Sequence, residues 1–121
     1  MLLVDIERVE EVIDLICAGE HAAFNRWIDS LAADLAKFEA LMRQASATEG
    51  RLDIQHAAHS IKGACLNIGL LALSDLFAEL EHDAKTGQTA AVKQRYAANR
   101  AVEAQSLQAL RKIAASDDFN G

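Results

Sequence analysis

Apolar residues recur along this chain at intervals of three and four, the spacing that lines one face of an α-helix. Ile6, Val9, Ile13 and Ile16 mark a short first helix, ending near Ala18-Gly19. Phe24, Ile28, Leu31, Leu35, Phe38 and Met42 mark a long second helix, which the small and polar run from Ser46 to Gly50 brings to an end. A third runs from about Leu52 to Ile68, with Ile54, Ala58, Ile61, Cys65 and Ile68 on its core face, until Gly69 interrupts it. Leu73, Leu76, Phe77, Leu80 and Ala84 mark a fourth, and Gly87 suits the left-handed position just past its end. Val92, Tyr96, Asn99, Val102, Ser106, Leu110 and Ile113 mark a fifth, down to about Ala115, with 116–121 read as a frayed tail. No repeat, linker or strand pattern breaks this series. Short loops between long helices make neighbours antiparallel. The pattern predicts one all-α domain over 1–121, an antiparallel up-down four-helix bundle, with the additional N-terminal helix capping one end.

Composition supports helices and narrows the partners. Half of the 121 residues are hydrophobic, aromatics are few and proline is absent. The strand-favouring β-branched and aromatic residues are scarce beside alanine and leucine. A formal charge of -6 disfavours nucleic acid, whose phosphates want a basic face, and suits protein partners. Cys17 and Cys65 stand outside any CxxC pair, so they read as reduced thiols, not as zinc ligands or a disulfide framework. The opening MLLVDIERVEE lacks the basic region of a signal peptide, and no apolar run approaches a membrane span. The expected location is the cytoplasm, without a membrane partner. No glycine-rich nucleotide loop or ATP site is found.

The chemistry concentrates in AHSIKGACLNIG, residues 58–69. At about 100° per residue, His59, Lys62, Gly63 and Leu66 share a sector roughly 130° from the core stripe. An exposed neutral imidazole is a nucleophile near physiological pH and can carry a covalent group on one ring nitrogen. A lysine one turn away can neutralise a phosphoryl group. Glycine costs a helix interior about 1 kcal/mol against alanine, but leaves the surface beside the histidine bare for a partner's approach. Leu66 offers an exposed apolar contact to that partner. If the third and fourth helices turn back at about Gly69-Leu70, residues whose numbers sum to about 140 lie level, which sets Glu81 opposite His59. A carboxylate there can accept the Nδ1–H, fix the tautomer and leave Nε2 free to attack.

Each of these residues also has an unremarkable reading. A lone exposed histidine usually does nothing, a lone lysine is a solvated charge, and a helix glycine often marks a close packing contact. Gly63 lies away from the core, which argues against packing. His56 and His59 stand one turn apart and His82 follows Glu81, a weak metal-binding pattern with no convergent third ligand. His56 and His82 read as surface residues. His21, near a helix start, needs no function. Trp27 reads as core or core edge, and the acidic residues of the second and fourth helices read as solvated faces.

His59-Ser60-Ile61-Lys62-Gly63-Ala64-Cys65, then Ile68-Gly69, Leu73-Ser74 and Leu80-Glu81, resembles the histidine-containing phosphotransfer (HPt) domain of multistep two-component phosphorelays. The specific part spans about 24 residues and the helix layout covers the chain. Ile61 stands where leucine is commoner and Ala64 where serine is frequent. The resemblance implies that His59 is phosphorylated at Nε2, Lys62 stabilises the phosphate, Gly63 gives the receiver domain room and Glu81 orients the ring. It implies a phosphocarrier, not an enzyme, taking its phosphoryl group from a receiver aspartate or hybrid sensor histidine kinase and passing it to a response-regulator receiver. No cofactor is expected on this chain; magnesium is expected on the partner receiver. Met1 at the start of the first helix favours a free-standing protein over a domain of a chemotaxis-type or hybrid kinase. A helical adaptor using the same face, and a metal-binding bundle built on His56, His59 and His82, are the readings from other classes.

Overall fold

The computed structural model describes residues 2–46 and 49–115. Helix α1, Ile6–Glu11, runs directly into a π-helical turn over Val12–Ile16. Then follow α2, His21–Gln44; α3, Arg51–Ile68; α4, Leu71–Lys85; α5, Thr89–Ala98; and α6, Arg100–Ala114. No strand occurs among the described residues. The second, third and fourth apolar stripes are buried as the spacing predicts, from Phe24 to Met42, Ile54 to Ile68 and Leu73 to Ala84. Four rods result: α2, α3, α4 and the α5–α6 pair. They are antiparallel. Asp29 and Glu39 of α2 pair with Arg111 and Arg100 of α6, so one helix counts up where the other counts down. At the centre, Phe38 of α2 meets Phe77 of α4 and Tyr96 of α5 edge-on, with ring centroids 4.9 and 5.2 Å apart. Cys17 and Cys65 are free and buried.

Two elements differ from the pattern. The fifth predicted helix is two helices, broken at Asn99, whose φ of -120° leaves the helical well. Its side-chain amide donates to the Arg95 carbonyl at 2.8 Å, a local bond that competes with the helical ladder. The break leaves the stripe usable, since Tyr96, Ser106 and Leu110 are all buried. The first predicted helix changes winding midway. Cys17 N–H bonds the Val12 carbonyl at 2.9 Å, an i to i+5 closure. That wider turn rotates the face, so Val12 and Cys17 join Val9 and Ile13 inside, while Ile6 and Ile16, predicted inward, are exposed. The positive φ of Ala18 and Gly19 then ends the element.

The acidic faces also need correcting. Asp83 of α4 is buried and accepts from Arg95 Nε at 2.8 Å, because α5 folds over that side of α4. Trp27 is half-buried at the core edge. His21, at the start of α2, donates from Nδ1 to the Ala114 carbonyl at the end of α6. The expected frayed tail, 116–121, lies outside the described residues.

The α3–α4 corner sets the register of the two helices. Gly69 takes φ +92°, and the Leu70 N–H closes back on the Cys65 carbonyl at 2.8 Å. The N-terminal segment crosses this corner. Asp5 N–H bonds the Gly69 carbonyl at 2.7 Å, and Leu71 N–H bonds the Leu3 carbonyl at 3.1 Å. A Cβ on Gly69 would lie 2.9 Å from the Asp5 carbonyl oxygen, so the approach needs glycine twice over. No helix among the described residues is long and apolar enough to cross a membrane.

Candidate functional site

The core stripe of α3 points Ile54, Ala58, Ile61, Cys65 and Ile68 inward, which turns His59 out to the flank. On α4, Leu80 is buried, and the next residue, Glu81, sits at the edge of the helix interface. The corner at Gly69 brings the two level. His59 Nδ1 lies 2.8 Å from Glu81 Oε2. Lys62 Nζ, one turn along α3, donates to the other oxygen, Oε1, also at 2.8 Å. Glu81 therefore joins histidine and lysine through one carboxylate. A carboxylate only accepts, so in the neutral ring Nδ1 carries the hydrogen and Nε2 keeps its lone pair.

Exposure divides the labour. The Glu81 side chain is 19% exposed and that of His59 is 67% exposed, so the orienting group is sheltered and the ring faces solvent. The hydrogen bond from Lys62 holds the Glu81 carboxyl below its ordinary range; burial opposes this, and the His59 bond adds to it. The carboxylate is thus ionised throughout the range in which histidine works.

Gly63 follows on the same side. A Cβ placed there meets nothing within 4 Å, so no neighbour requires glycine for close packing. Leu66, one further turn along, is exposed. Gly63 and Leu66 thus extend the His59 face without touching its hydrogen-bond network. His56 and His82 are exposed. Among the described residues no group of three or more His, Cys, Asp or Glu side chains is placed to hold a metal ion.

Two features of the site lie beyond the sequence reading. Lys62 is not a free cation beside the histidine; it is held by Glu81. Beside Ser60, a groove of about 250 Å³ runs between α2 and α3, floored by Phe38, Leu41, Ala57 and Ile61 and flanked by Asp34 and Lys37. Its signal in the sequence is Leu41, an apolar residue one position off the α2 stripe, opposite the small Ala57.

Comparison with curated proteins, and with solved structures, returns no match. A family model, that of the Hpt domain, matches residues 22–116, which takes in α2 apart from its first residue, all of α3 to α6, and every residue of the site. The histidine held by a carboxylate on a helical bundle thus falls inside that match, and the chain belongs to the Hpt domain family, the phosphocarriers that serve histidine phosphotransfer in two-component signalling and interact with receiver domains.

Proposed function

We propose that this chain carries a phosphoryl group on His59 Nε2, taking it from the phospho-aspartate of one receiver domain and giving it to the aspartate of another. The observation that carries the reading is the 2.8 Å bond from Nδ1 to Glu81, which turns the lone pair of Nε2 toward solvent. In the forward step Nε2 attacks phosphorus in line, the N–P bond forms, and the acyl-phosphate P–O bond breaks to release the receiver's carboxylate. The ring keeps its Nδ1 hydrogen and becomes cationic, and the Glu81 carboxylate stabilises that charge. The reverse sequence delivers the group to the second receiver. Such transfer rests on positioning and charge neutralisation, so a carrier need only present its nucleophile.

The other residues take roles around this step. Lys62, anchored to Glu81 within reach of the ring, supplies positive charge for the phosphoryl oxygens. Gly63 keeps the approach clear, and Leu66 gives the receiver an apolar contact. The chain brings no cofactor to the reaction, and magnesium is carried by the receiver. A hybrid sensor histidine kinase is the upstream source and a response regulator the downstream acceptor.

The test is phosphotransfer from a set of phosphorylated receiver domains to the wild type and to His59→Gln, read by mass spectrometry. Acid-labile, alkali-stable label on His59, absent from the variant, is the expected result. Receiver binding without label on either protein would replace the carrier with an adaptor.

A further inference from the structure

Charge is segregated along this chain. Residues 1–21 hold six carboxylates and one arginine, a side-chain charge of -5 out of the total of -6. Residues 22–121 hold twelve carboxylates and eleven lysines and arginines, which leaves -1. The boundary coincides with the edge of the family match, which begins at residue 22. The acidic element therefore lies outside the matched span.

That element is firmly seated. Val9, Val12, Ile13 and Cys17 are buried, and Arg8 Nε donates to the Asn67 carbonyl at 2.9 Å. Its outer surface is unusual in the opposite sense. Leu15 is 80% exposed, Leu2 71%, and Ile6 and Ile16 56% each; these are four of the six exposed large apolar side chains among the described residues. The π-helical turn is the cause, since its winding takes Val12 and Cys17 inward and leaves Leu15 and Ile16 outside. Leu15 lines a shallow concavity with Glu7, Glu10, Glu11 and Asp14. Arg8 offsets only Glu11, at 3.2 Å.

We infer that the outer face of α1 and its π-helical turn docks a basic amphipathic helix of a partner protein. Exposed apolar side chains ringed by carboxylates call for an apolar stripe ringed by lysine and arginine. Ile6, Glu10 and Asp14 step by four, and so do Glu7, Glu11 and Leu15. A facing helix repeats its own side chains at that interval, so cations one turn apart on it meet carboxylates one turn apart here. Sign disfavours the other occupants. A second copy would set one acidic face against another, and anionic lipid and nucleic acid carry the same charge as this surface. The face does not include His59, so the inference goes beyond the phosphocarrier reading.

The test uses the full chain and a synthetic helical peptide of about 20 residues, with a leucine stripe flanked by lysine and arginine. The control peptide has the same stripe flanked by glutamate. Fluorescence anisotropy at about 0.15 M salt reads the affinity. Wild type and His59→Gln are expected to bind the basic peptide equally and the acidic one not at all. Glu7→Lys/Glu10→Lys/Asp14→Lys is expected to weaken binding by about tenfold or more, and so is Leu15→Ser/Ile16→Ser, with melting temperatures unchanged because all five side chains are exposed. Equal binding of both peptides overturns the inference. So does affinity that survives either set of substitutions, because attraction by charge alone ignores Leu15 and Ile16. A dimer in sedimentation that Leu15→Ser abolishes reassigns the face to a second copy, and pelleting with phosphatidylserine vesicles reassigns it to a membrane. Loss of peptide binding in His59→Gln alone would place the contact elsewhere.

Discussion

Replacing Gly63 separates what the fold wants from what the site wants. The residue sits in the interior of α3, and a Cβ on it meets no heavy atom within 4 Å. Alanine there removes the conformational penalty of glycine and adds no clash, so Gly63→Ala is expected to stabilise the protein by about 1 kcal/mol. For a chain of this size that raises Tm by roughly 3–5 °C. Gly69→Ala is the control. Its φ of +92° and the Asp5 carbonyl oxygen 2.9 Å from the new Cβ make it destabilising, by about 1–2 kcal/mol for the left-handed backbone alone. Thermal unfolding followed by circular dichroism measures both.

On the phosphocarrier reading, the same position is expected to act on transfer in the opposite direction. In-line attack needs the reacting atoms about 3–3.5 Å apart, and a misplacement of about 1 Å costs on the order of 100-fold in rate. Gly63→Gln projects a long side chain from the surface one turn along from His59, where the proposed receiver contact lies. Its transfer rate is expected to fall by about 100-fold while helix content stays at the wild-type level. Gly63→Ala adds a single methyl group and is expected to lose less than about tenfold. A more stable protein that transfers more slowly would show that docking keeps the glycine in place. A destabilised Gly63→Ala would mean that the glycine packs against something, and unaltered transfer in Gly63→Gln would refute the docking geometry.

Other substitutions probe the remaining links. On the phosphocarrier reading, Lys62→Ala is expected to slow transfer without abolishing it, because it would remove charge from the proposed phosphoryl site and leave the nucleophile, as rapid-quench kinetics would show. Glu81→Gln tests the carboxylate through pH. The folded-state pKa of Glu81 lies below the ordinary 4.5, so its ionised form contributes stability above that value, and the contribution disappears as pH falls through and below it. The gap in Tm between wild type and Glu81→Gln should therefore be open at neutral pH and close under acid; a gap independent of pH would sever the carboxylate from the site's stability. Phe77→Ala, at a fully buried ring that meets both Phe38 and Tyr96, is expected to cost about 3–5 kcal/mol in urea unfolding.

How legible this molecule was depended on how local the relevant physics is. The stripes of α2, α3 and α4 could be read because spacing alone decides which side of a helix is apolar. The level placement of Glu81 and His59 could be read because one glycine, Gly69, fixes where the chain turns, and counting from it locates opposite residues. The break at Asn99 was hidden, since the apolar spacing continues across it and the deciding bond is one side-chain amide to the Arg95 carbonyl. Asp83 was hidden because its burial depends on α5 folding back and supplying Arg95. The π-helical turn was hidden because Ile6, Val9, Ile13 and Ile16 fit an ordinary helix equally well; tertiary packing chose Val12 and Cys17 instead.

The residues that stood out in the sequence are those that break a local rule. Gly63 weakens its helix and relieves no clash, Leu66 exposes an apolar group, and His59 leaves a nucleophilic ring in water. Local choices that disagree with the fold mark places where something other than stability selects the residue. Lys62 and Glu81 break no such rule, and each would pass as an ordinary surface charge. Helix spacing already sets both beside His59; what the structure adds is that His59 and Lys62 share one carboxylate, through two 2.8 Å bonds. On the phosphocarrier reading, the exposed residues mark the face a partner meets, and the sheltered Glu81 carboxylate, held by Lys62, determines which ring nitrogen is left to attack.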